Sequence, residues 1–203
     1  MVTPKSAADK YEQIDRLTRT GVSVLGKQMS PTAAITSAGD SYTQANTLFG
    51  GLTAPKRGKD QVAGLKDAIV GYARTAMRTR VEDVYKKMGD ASYTIDRRGS
   101  ELRGSGILSF KPGAGPFKAL AIGRPSPEKA LRSVGDAQTY ATESKGYVKD
   151  VFSAFNATGL TETGDREFKK DLEKRLADAE KKIGEKKADL WGAERRKSIR
   201  RGY

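Results

Sequence analysis

The stretch GDASYTIDRRGSELRGSGILSFKPGAGPFKALAIGRPSP, residues 89–127, decides how this chain is organised. Its glycines and prolines exclude a single long helix across it. Its apolar runs, 107–110 and 117–122, are short and suffice for one isolated β-hairpin at most. A connection this long with little structure of its own is uncommon within a compact domain, and marks a functional loop or a segment laid against a partner. Residues 90–125 therefore read as an extended Gly/Arg-rich linker between a helical region, 1–89, and a helical hairpin, 126–194, with a basic tail at 195–203.

Working back from the linker, three helices are expected. Thr3-Pro4 and Ser30-Pro31 each place a capping hydroxyl before a proline suited to the first helical position. Ala7, Tyr11, Ile14, Leu17, Gly21 and Leu25 then share one face of a helix that should end near Met29. Ile35, Ala38, Tyr42, Ala45 and Phe49 share a face of the second, closed by Gly50-Gly51. The third, about 60–88, carries Val62, Leu65, Ile69, Tyr72, Ala76, Val84 and Met88, with Gly89 as its stop. Gly64, Ala68, Gly71 and Thr75 form a small-residue row on its other side, which predicts cover on both faces. Arg80 falls within the apolar face, as a stem snorkelling to water or as an interface anchor.

Beyond the linker, Ser126-Pro127-Glu128 restarts helix with a cap, a proline and an early acid. Ala130, Val134, Ala137, Ala141, Ser144, Val148, Val151 and Phe155 alternate at four and three residues, the mark of a close coiled-coil seam. After a short turn, Phe168, Leu172, Leu176, Ala179, Ile183 and Leu190 repeat that spacing, interrupted by Lys186. Two seamed helices joined by a short turn should fold back as an antiparallel coiled-coil hairpin. The expected fold class is thus mainly α: an elongated helical protein with an N-terminal three-helix region, a long Gly/Pro-rich central segment and a C-terminal antiparallel hairpin.

Composition narrows the chemistry. The 203 residues contain neither cysteine nor histidine, which excludes disulfides, zinc–thiolate sites, haem attachment and every thiol or imidazole mechanism. Apolar residues are 36% and aromatics 7%, thin for a globular enzyme and ordinary for an elongated helical protein. The segment 21–28, Gly-Val-Ser-Val-Leu-Gly-Lys-Gln, has phosphate-loop spacing, but Gln28 stands where the magnesium-binding hydroxyl belongs and no strand pattern precedes it. It reads as helix. No catalytic, cofactor or metal residue is implied. The chain also lacks an apolar run that could span a membrane and a leader-like N-terminus, so the expected location is the cytoplasm or a particle, not secretion.

The net charge is +13, from 38 basic and 25 acidic residues. It is spread along the chain except at the end, where Arg195, Arg196, Lys197, Arg200 and Arg201 cluster beside Trp191. Arg74 and Arg78 share one side of the third helix, while Arg97, Arg98 and Arg103 sit among flexible residues in the linker. These eleven side chains are the candidate contacts to protein carboxylates or to DNA or RNA phosphates. Trp191 reads as an apolar plug against a neighbour rather than a stacking platform, because single-strand binders present several aromatics in a groove. The expected function is a non-enzymatic linker of a large assembly, most specifically a phage or virus particle, ordered by partner subunits. A sequence-nonspecific nucleic-acid binder is the alternative.

Overall fold

The chain is mainly α-helical. The computed structural model describes residues 6–52, 56–102 and 127–201. Their helices are α1 (Ala7–Leu25), α2 (Pro31–Gly50), α3 (Lys56–Leu102), α4 (Pro127–Ala157) and α5 (Thr163–Arg201). The expected strands at 107–110 and 117–122 and the expected caps Thr3 and Ser126 lie outside the described residues.

Local chemistry explains the helix ends. Ser6 caps α1 in a reciprocal box: its Oγ accepts from the Asp9 N–H while its own N–H donates to Asp9 Oδ2, both at 3.1 Å. Ser30 caps α2, accepting from the Ala33 N–H at 3.3 Å, with Pro31 at the first turn. The α1 helix stops at Leu25 and Gly26, short of Met29. After α4, Gly159 turns the chain with φ of 72°, a left-handed conformation that favours glycine.

One expected boundary is overturned. Gly89 does not stop α3, which continues to Leu102. A glycine in a helix interior costs about 1 kcal/mol. Burial of Val84 and Ala91 on either side of it contributes more than that. Packing carries the helix through, and residues 90–102 leave the expected linker for α3.

The chain divides into two units. The first comprises Met1–Arg80 and Lys145–Glu173, the second Val81–Ser144 and Lys174–Tyr203. In the first unit, α1 and α2 pack on each other, and Ile14, Ala45 and Val62 form a buried cluster wrapped by Leu17, Tyr42, Leu48, Phe49 and Leu52. Two glycines permit close approach. A Cβ on Gly21 would sit 2.8 Å from Leu65 Cδ1, and one on Gly39 would sit 2.5 Å from Thr158 Cγ2. Gly21 is therefore a buried packing position within α1, and Lys27 is an exposed residue beyond its end. Contacts from α3 run Lys66 to Glu162 in the turn before α5, then Arg74 to Asp165 and Arg78 to Phe168 on α5, so these segments are parallel.

In the second unit, Thr142 meets Glu180 and Gln138 meets Lys187, so α4 and α5 run antiparallel there. Its buried residues are Val81, Val84 and Ala91 of α3, Ala130, Val134, Ala137, Ala141 and Ser144 of α4, and Leu176, Ala179, Ile183 and Leu190 of α5. Ser144 satisfies its hydroxyl on the Tyr140 carbonyl at 2.6 Å. All eight seam positions expected on α4 are buried. On α3, however, Ala73, Met77 and Val81 are buried where Tyr72, Ala76 and Arg80 were expected at the centre, and those three are half-buried. The buried row there advances by four residues at a time from Leu65 to Val81, and that spacing drifts around a 3.6-residue helix.

Candidate partner-binding surfaces

The most ordered polar arrangement lies in the first unit, at the start of α5. Asp165 is 1% exposed and occupies a seam position, seven residues before Leu172. Its Oδ1 accepts from Arg74 Nε at 2.7 Å and its Oδ2 from the Glu162 N–H at 2.9 Å. Both carboxylate oxygens are thereby satisfied, which a buried charge requires. Lys66 Nζ reaches Glu162 Oε1 at 3.0 Å on the surface of the same turn, and this hydrogen bond and charge hold its pKa above the ordinary lysine value. The α4–α5 turn is thus clasped by α3 through two cations, while Thr158 of the turn closes on Gly39 of α2.

Aromatic rings take up further positive charge. Arg78 lies 5.6 Å from the centroid of Phe168, Arg80 5.3 Å from Tyr147, and Lys169 5.3 Å from Phe152, all in the first unit. In the second, Lys87 lies 4.7 Å from Tyr140 and Arg175 5.3 Å from Tyr85, whose hydroxyl donates to the Arg175 carbonyl at 3.1 Å. Each pair joins two helices. The positions on α3 recur at seven residues, Arg78 then Tyr85 contacting α5 and Arg80 then Lys87 contacting α4.

The eleven sequence candidates separate accordingly. Arg74 and Arg78 are engaged within the first unit. Arg97 and Arg98 lie in the last turns of α3, on helix where a loop was expected, and Arg103 lies outside the described residues. Arg196, Lys197, Arg200 and Arg201 fall on the last turns of α5, and Arg195 there is exposed. Trp191 is 56% exposed, and the described residues of its unit do not enclose it. Sequence reasoning missed Asp165 and the cation–ring pairs. The signal for Asp165 was its seven-residue spacing to Leu172 and Ala179, masked because an acid at a seam looks like an interruption.

Other concavities are shallow. One of about 290 Å³ in the second unit sets Lys87 and Arg132 beside Asp90 and Asp136. Another, of about 200 Å³, sets Lys182 and Lys186 beside Glu185 and Asp189. In both, opposite charges neighbour one another and no single-sign cradle forms. Among the described residues no cluster of three or more carboxylates is placed to hold a metal ion, and no helix is long and apolar enough to cross a membrane.

Glycines mark the remaining surface. Gly64, Gly71, Gly89, Gly135, Gly146 and Gly184 are helical, and a Cβ on any of them would meet nothing within 4 Å. The small row of α3 is therefore open at Gly64 and Gly71 and not covered by the described residues. No protein-family model, curated protein or solved structure matches this chain.

Proposed function

We propose that this chain is a non-enzymatic structural or linker component of a large assembly, in its most specific form an internal, neck or shell-lining protein of a phage or virus particle. The observation that carries this reading is the set of open helical glycines. Each costs about 0.5–1 kcal/mol relative to alanine in a helix, and none of the six named above is needed for packing within the described residues. Small outward residues let another backbone come close, so such rows suit helices laid against neighbouring subunits. Trp191 at 56% and Tyr93 at 68% exposure add apolar surface for the same purpose. In this reading α4 and α5 work as an elongated coiled-coil hairpin, and the cysteine-free basic composition suits a protein packed among other subunits inside a particle.

A second reading, sequence-nonspecific binding of nucleic acid, is favoured by the end of α5. The helix continues to Arg201, so Arg196 with Arg200 and Lys197 with Arg201 stand one helical turn apart. Basic residues at a helix C-terminus also complement its dipole, which accounts for part of the cluster without any ligand. Arg74 and Arg78 weigh against this reading because they are engaged inside the protein.

The separating experiment is binding of the full chain to labelled duplex and single-stranded nucleic acid over a salt series. The assembly reading expects weak binding near physiological salt, little changed by deletion of residues 195–203. Tight binding with a steep salt slope that the deletion flattens moves nucleic acid to first place.

A further inference from the structure

We draw no further inference here: the strongest candidate, the exposed face of α5 in the second unit that carries Ala177, Gly184, Ala188 and Trp191, is a surface patch that nothing in the structure shows to be covered by any particular partner.

Discussion

Asp165 illustrates how a single side chain can fix the geometry of a turn. It is almost fully buried, yet both of its oxygens are paired, one by Arg74 and one by the Glu162 N–H. Removing Arg74 would leave a buried carboxylate with one donor. Arg74→Met should therefore lower stability by about 2–3 kcal/mol, read as a shift of the urea midpoint at unchanged slope. A shift under about 0.5 kcal/mol would show the pair to be ornamental. Lys66 makes the contrast. Its pKa is raised by Glu162, so its contribution is fully present below the ordinary lysine value and is lost as pH climbs through the raised one. Because that amine is solvent-exposed, Lys66→Met should leave the thermal midpoint nearly unchanged at neutral pH.

Two glycines give opposite predictions from the same substitution. Gly39→Ala would drive a methyl group into Thr158, a short β-branched side chain that cannot swing away, and should destabilise by about 1–3 kcal/mol. Gly184→Ala meets nothing and should stabilise the isolated chain by about 0.5–1 kcal/mol. Chemical denaturation of the two variants side by side checks both signs.

At the scale of elements, buried seams stabilise each unit from within. Leu176 is fully buried in α5 beside Ala179 and Ile183. Leu176→Ala should cost about 2–5 kcal/mol, with the cooperative thermal transition moving down accordingly. The α4 seam was legible because its spacing of four and three is unbroken from Ala130 to Phe155. The α3 core was less legible: the sequence names Val62, Leu65, Ile69 and Val84 correctly but selects Tyr72 and Ala76 over Ala73 and Met77. A row of four-residue steps changes face as it goes, and a single amphipathic template cannot follow it. The end of α3 was missed for a different reason. Gly89 is a helix stop by local propensity, and burial at Ala91 overrides it, a tertiary effect no local rule contains.

For the molecule as a whole, net charge overstates the number of cations that face outward. A net charge of +13 suggests a polyanion partner, yet Arg78, Arg80, Lys87, Lys169 and Arg175 lie over aromatic rings and Arg74 is paired to a carboxylate. Net charge is a sum, and these side chains are engaged within their own units. Exposed among the described residues are helical glycines that meet no neighbour and the Trp191 indole. We propose these as surfaces for other subunits of a large assembly.

The most direct measurement is quantitative mass spectrometry of density-gradient fractions from the cells that make this chain, before and after nuclease treatment. As an assembly component, the chain should sediment with a large particle at a fixed ratio to other subunits, and nuclease should leave the ratio unchanged. A chain found only at the top of the gradient, or one released from heavy fractions by nuclease, would contradict the assembly reading.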